Sequence, residues 1–298
     1  MRKIETSRLS ERDPALEARL AKELGDTLRG EVRAFARVPS TMDVAHALAA
    51  QGAAEGTLIW AQQQEQGRGR QGRAWESPAG GAYFSIIVRP ARTAAETPQL
   101  ALVAGLAAAE AVRECAMLSP RVRWPNDLLL EDKKVAGILV ETKSYSATSA
   151  RSGLWALGSG QLPPAPSPQP GAKLGFEVGT VVIGVGINVA TKPSDLPETA
   201  TSLAAAGGKS LDPLHLTARL YRRFLRWYDV WSVEGFAPVR EALRPQMAMF
   251  GEVVHIIAGN NRFEGTASDL DEAGRLIVRL DSGMMRAFEM GEVTLLRN

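Results

Sequence analysis

The chain is short of cysteine, histidine, lysine and long apolar runs, and each shortage narrows what it can be. Cys115 is its only cysteine, so a disulfide within the chain is impossible and a Cys-rich metal site is excluded. It lies in the apolar helical stretch 100–117, where a buried, inert thiol is expected rather than a nucleophile. His46, His215 and His255 are scattered, and no His-x-x-x-His pair points to zinc. No window approaches the length of apolar sequence that crosses a bilayer, so no membrane partner is expected. The first residues are charged and carry no signal-peptide stretch, which predicts a cytoplasmic location. The formal charge is only +2, from 35 basic and 33 acidic residues. A dedicated duplex-DNA binder normally shows a strong basic excess, so no DNA partner is expected and any cationic site must be local.

The 298 residues are 45% apolar and 23% charged, globular values that suit two domains. Pro14–Leu24 reads as a helix, and only about 35 residues precede the first strand-like segment, too few for an additional DNA-binding domain. Ser40-Thr41 reads as the cap of a helix over Asp43–Gln51. Strands are expected at 57–62 and 83–88, then a long helix at 97–117. Glu131-Asp132-Lys133-Lys134 reads as a hairpin turn before an apolar strand, 135–142. Residues 144–175 are rich in Ser, Gly and Pro, with Leu162-Pro163-Pro164-Ala165-Pro166 at their centre. Such composition buries too little surface to offset its ordering entropy and predicts a disordered insertion. A buried strand over 179–189 carries Gly184 and Gly186, where a ligand or another backbone comes close. Helical spacing of Leu216, Leu220, Phe224, Leu225 and Trp227 follows. Five short strands divided by turns complete the chain, reading as a small β-barrel. The fold class is therefore α+β, with a mixed β-sheet domain over residues 1–245, helices packed on it, and a barrel over 246–298.

The most informative stretch is Gly67-Arg68-Gly69-Arg70-Gln71-Gly72-Arg73, with Trp75 just beyond. Glycines let the backbone bend closely around a ligand, and three arginines within seven residues repel one another unless an anion joins them. Gly-Arg runs are also common in disordered nucleic-acid-binding tails. Here the run lies between two apolar strands and leads into Glu76-Ser77-Pro78, which reads as a turn, so a ligand-ordered loop on a sheet edge is the better reading.

Three further cues follow in order: Arg123-Trp124-Pro125-Asn126-Asp127, Lys134-x-x-Gly137, and Gly184-Val185-Gly186-Ile187-Asn188. With the Gly-Arg loop they resemble the biotin protein ligases, from about Arg33 to the C-terminus. The resemblance implies a C-terminal SH3-like barrel and a chain without that family's optional N-terminal DNA-binding domain. It implies that biotin and MgATP form biotinyl-5′-AMP, and that the biotinyl group passes to a lysine of a biotin carboxyl carrier domain. No enzyme nucleophile is needed, because the biotin carboxylate itself attacks phosphorus. Orientation and cationic stabilisation are needed instead.

By the same resemblance, Ser40 and Thr41 bind the biotin ureido group, Gln64 bonds the ligand, and Arg68, Gly69 and Arg70 fold over biotin and the adenylate. Lys134 meets the carboxylate and α-phosphate, with Arg68 and Arg70 as its catalytic companions. Gln71, Arg73 and Trp75 are placed on the nucleotide side. Asn126 and Asp127 position ATP, with Asp127 the candidate Mg²⁺ ligand. Asn188 contacts the adenylate, and Gly137, Gly184 and Gly186 leave room for a flat ligand. Three residues depart from the family pattern: Met42 stands in place of Asn, Arg123 in place of Lys, and Gln71 in place of Arg. Lysine is scarce, 8 against 27 arginines, which sets Lys134 apart from generic surface charge. A lipoate-protein ligase is the alternative enzyme, and an arginine-rich RNA-binding module the alternative of another class. The sequence leaves a homodimer through a sheet edge open.

Overall fold

The computed structural model describes residues 12–143, 179–208, 210–258 and 260–289, together with the backbone of 293–296. The insertion expected over 144–175 lies outside the described residues. Two compact units result, one of Met1–Ala94 with Leu139–Gly186 and one of Ala95–Ile138 with Ile187–Asn298. A seven-stranded sheet has the order β1-β2-β3-β7-β6-β5-β4, and a five-stranded sheet the order β11-β10-β9-β8-β12.

In the first unit, α1 (Pro14–Leu24) begins where Asp13 accepts hydrogen bonds from the amides of Ala15 and Leu16, with Pro14 at the first helical position. β1 (Val32–Val38) pairs in parallel with β2 (Leu58–Gln64), and the crossover is α2 (Thr41–Ala50). Ser40, not Thr41, is the N-cap of α2, and its hydroxyl accepts from the Met42 amide at 3.3 Å. β2 then pairs antiparallel with β3 (Gly81–Val88), whose residues are all buried. Met42, Ala45, Leu48 and Ala49 of α2 pack with Phe35, Val38, Ile59, Ala61, Ile87 and Val182. Ile59 and Ala61, two positions apart on β2, present one face of that strand to this cluster.

In the second unit, α3 (Gln99–Ala116) packs on α4 (Pro213–Glu234). The aromatic stripe of α4 is core: Phe224 and Tyr228 stack at 5.7 Å, and Trp231 donates from its indole to Gln99 Oε1 at 2.6 Å. Cys115, near the end of α3, is half-buried, which corrects the expectation of a fully buried thiol; the helix ends one residue later and releases that face. β4 (Arg121–Arg123), β5 (Asp127–Leu130) and the start of β6 (Lys133–Lys143) form an antiparallel meander. The turn between β5 and β6 is only Glu131-Asp132, both with positive φ (47° and 64°). Two consecutive left-handed residues match strand twist, so Lys133 and Lys134, read from sequence as part of the turn, belong to the strand.

β7 (Thr180–Asn188) is buried throughout. A short helix not anticipated from sequence, α5 (Ala237–Leu243), follows α4. The last five strands are β8 (Val253–Ala258), β9 (Asn261–Leu270), β10 (Leu276–Leu280), β11 (Met285–Phe288) and β12 (Val293–Leu296). They form antiparallel pairs, and Trp124 ties the meander to them by donating to the Gly274 carbonyl at 3.0 Å.

Candidate active site

In the first unit the Gly-Arg loop leaves the end of β2. That strand lies between β1 and β3, which corrects the expected sheet edge. The loop closes as a tight hairpin of its own: Trp75 N donates to Gly67 O at 2.8 Å, Gly69 N to Arg73 O at 2.7 Å, and Arg73 N to Arg70 O at 3.2 Å. Its glycines have unequal tasks. A Cβ on Gly67 would stand 2.7 Å from the Ser77 hydroxyl, and Gly72 has φ +72°. Gly69 is neither crowded nor left-handed. Gln71 takes φ 56° itself, so one of the three residues that depart from the resembled pattern also sits in the left-handed region.

A chain of hydrogen bonds runs from β3 into this loop. Ser85 Oγ donates to Thr41 Oγ1 at 2.9 Å, and Thr41 donates from its hydroxyl (3.1 Å) and its amide (2.8 Å) to Gln64 Oε1. Gln64 Nε2 donates to Ser77 Oγ at 2.9 Å, and Ser77 Oγ to the Trp75 carbonyl at 3.2 Å. Ser40, Thr41 and Ser85 are fully buried or nearly so, and buried hydroxyls persist only when partnered. Ser77 and Ser85 were not found by sequence reasoning, since a lone serine carries no pattern.

Arg68 is paired with Asp43 of α2, and its other terminal nitrogen lies 3.6 Å from Glu141 Oε2 on β6. His46 Nε2 lies 2.6 Å from the same oxygen. The hydrogen bond from His46 lowers the Glu141 pKa against the opposing effect of burial, and the charges of Arg68 and Lys143 lower it further. Burial acts to lower the Arg68 pKa, but the hydrogen bond and charge of Asp43 and the charge of Glu141 prevail and raise it. Asp43, His46 and Glu141 were likewise missed. Their signal was weak but present, a histidine on the apolar face of a helix and a carboxylate in an apolar strand.

Gly184 and Gly186, read from sequence as room for a flat ligand, receive protein side chains. A Cβ on Gly184 would lie 2.6 Å from Met42 Sδ, and one on Gly186 would lie 2.6 Å from Cε2 of the Trp75 indole. Met42 is buried in the apolar cluster described above, a setting that suits a thioether better than an amide.

In the second unit Lys134 is fixed on both sides of its backbone. Its amide donates to Thr199 O at 2.9 Å, its carbonyl accepts from Thr201 N at 2.9 Å, and its Nζ lies 2.6 Å from Asp127 Oδ1. Asn188 Nδ2 donates to Thr201 O at 3.0 Å, bracing the same segment, while its Oδ1 is buried with no hydrogen-bond partner among the described residues. Asn126 is a brace: its Nδ2 donates to Ile138 O at 2.7 Å and its carbonyl accepts from Ile138 N at 2.9 Å. Gly137 stands opposite Asp127 in the β5–β6 register. Arg123, Trp124 and Asn126 thus lie at a bend whose Trp124-Pro125 peptide is cis.

The sequence profile of the biotin/lipoate A/B protein ligase family matches residues 34–155, and that of the biotin protein ligase C-terminal domain matches residues 249–296. The biotin–[acetyl-CoA-carboxylase] ligase of Paracoccus denitrificans is 32% identical over 256 residues, which cover 84% of this chain and 94% of that one. The bifunctional ligase/repressor BirA of Bacillus subtilis is 31% identical over 254 residues, 84% of this chain and 69% of its own. Among solved structures, the biotin protein ligase of Aquifex aeolicus in complex with biotin and ATP superposes with a TM-score of 0.69 at 26% identity, covering 90% of this chain and 99% of that one. The Gly-Arg loop, the fixed lysine and both matched profiles lead to one conclusion: the chain belongs to the biotin protein ligase family.

Proposed function

We propose that the side chains described above carry out the family's two-step reaction on biotin, ATP and a biotin carboxyl carrier domain. The observation that carries this reading is Lys134, a scarce lysine held by backbone pairing on both sides and aimed at Asp127. A lysine so fixed needs little reorganisation when a charge develops beside it.

Ser40 and Thr41 are assigned to the biotin ureido group, with Gln64 orienting the Thr41 hydroxyl. Gly69, Arg70 and Gly137 line biotin and its carboxylate, with Met42 supplying apolar contact. In the first step a carboxylate oxygen of biotin attacks the α-phosphorus of ATP, the bond to the bridging oxygen breaks, and pyrophosphate leaves. Lys134, with Arg70, neutralises charge that builds on the α-phosphate. Arg73, Gln71, Trp75 and Asn188 are assigned to the nucleotide, the orphaned Oδ1 of Asn188 being an acceptor suited to a ligand donor. In the second step the carrier lysine amine attacks the acyl carbon, AMP leaves with the bonding electrons, and the amine loses a proton to solvent.

Among the described residues no three His, Cys, Asp or Glu side chains cluster as a metal cage. Magnesium is commonly held by one or two carboxylates plus substrate phosphates, so Asp127 fits as its one protein ligand. When bound, the ion would neutralise charge on the polyphosphate. The catalytic assignment covers residues 1–245 and leaves 246–298 as the barrel domain. A cytoplasmic location is proposed on the same reading; no helix among the described residues is long and apolar enough to cross a membrane. The test is release of pyrophosphate by the purified chain with biotin and MgATP, followed by labelling of a carrier-domain lysine. Activity with lipoate in place of biotin would overturn the assignment.

A further inference from the structure

Arg68 was expected to await an anionic ligand, yet its guanidinium already faces two carboxylates. Asp43 sits in the first turn of α2, and Glu141 on β6 is shared with the buried imidazole of His46. Lys143 is the other charged group acting on Glu141. An incoming carboxylate or phosphate would meet both acidic groups as well as the arginine, and like charges at that range repel. The same geometry performs a different task well. Arg68 is the second residue of the loop, four positions after β2 ends at Gln64, and the clamp fastens it to a helix and a strand of the same unit. His46, 8% exposed in its side chain, fixes which way the Glu141 carboxylate points.

We propose that Asp43 and Glu141 are positioning residues of the substrate loop, holding Arg68 as its anchor, and that anion contact falls to Arg70 and Arg73. This rests on the functional reading above. An unclamped loop populates fewer binding-competent conformations, and the apparent affinity falls by that fraction. The effect therefore appears in biotin binding before it appears in chemistry.

The experiment compares Asp43→Asn, Glu141→Gln, Arg68→Met and the double variant Arg68→Met with Glu141→Gln, each checked by circular dichroism to be folded at the assay temperature. The expected result is a biotin KM raised about tenfold in Asp43→Asn and Glu141→Gln, with kcat changed far less. The double variant should be no worse than Arg68→Met, because Glu141 acts through Arg68. Trypsin cleavage after Arg68, Arg70 and Arg73 in the absence of biotin should be faster in both single carboxylate variants. An unchanged KM with unchanged cleavage, or additive effects in the double variant, would overturn the clamp. The cleavage readout needs no substrate, so a wild-type chain that releases no pyrophosphate would defeat the functional reading while leaving the clamp separately decided.

Discussion

Met42 is one of the three residues that depart from the pattern this chain resembles, and its surroundings say why the departure is stable. Its side chain is 3% exposed among Phe35, Val38, Ala45, Leu48 and Ile59, with the sulfur over Gly184. Restoring the amide by Met42→Asn would bury a polar group among apolar ones and is expected to destabilise the fold by about 1–3 kcal/mol, read from urea denaturation midpoints. Equal stability would mean that the amide finds a partner there. Lys134→Ala makes the opposite kind of prediction, little change in stability and a large change in rate. Pyrophosphate release should fall at least about tenfold, the equivalent of a charged hydrogen bond of ~1.5–3 kcal/mol. Retained activity would remove Lys134 from the reaction. Both residues were legible in the sequence because each sits in a motif with fixed neighbours. Ser85 and Glu141 were not, because what makes them matter is a partner 44 and 73 positions away in the chain, at Thr41 and Arg68.

At the scale of elements, most helices and strands followed from periodicity and punctuation, the short α5 being an exception. The helix from Pro14, the helical spacing of Leu216 to Trp227 and the strand runs of β3 and β7 were all readable there. The parallel pairing of β1 with β2 did not, since the crossover direction is a property of the sheet and not of either strand. The loop was misread in one respect. Its conformation depends on Gly67, Gln71 and Gly72 and on the close fit of Trp75 over Gly186, not on arginine repulsion alone. Gly186→Ala should therefore displace the Trp75 indole, cost about 1–3 kcal/mol by overpacking, and weaken biotin binding as the loop shifts. Wild-type binding in a titration would sever Trp75 from the loop's order. The α2–β6 contact predicts a pH dependence. Glu141 has a folded pKa below its unfolded value, so its contribution is present above the ordinary carboxylate range and is lost as pH falls through the folded value. Glu141→Gln should thus be less stable than wild type at neutral pH, with the two curves converging as pH falls below the lowered folded pKa of Glu141. A difference that persists in acid would assign the loss to packing.

For the whole molecule, the order of motifs carried more than any one of them. The Gly-Arg loop alone suits a nucleic-acid tail, and Lys134-x-x-Gly137 alone suits any strand. In sequence together, and followed by a five-stranded sheet, they matched a family that the two profiles and the relatives then established. Residues 144–175 were set apart by composition, and removing 146–172 should leave folding and activity nearly intact, because loop-closure entropy grows slowly with length. Loss of either would make that segment part of the working enzyme. The most direct test of the central claim is a single-turnover assay with biotin, MgATP and a biotin carboxyl carrier domain, following pyrophosphate and the labelled carrier lysine together. The account predicts a pyrophosphate burst that depends on biotin and on Lys134, followed by transfer of the biotinyl group to the carrier. Pyrophosphate release that is indifferent to biotin, or transfer of lipoate and not biotin, would contradict it.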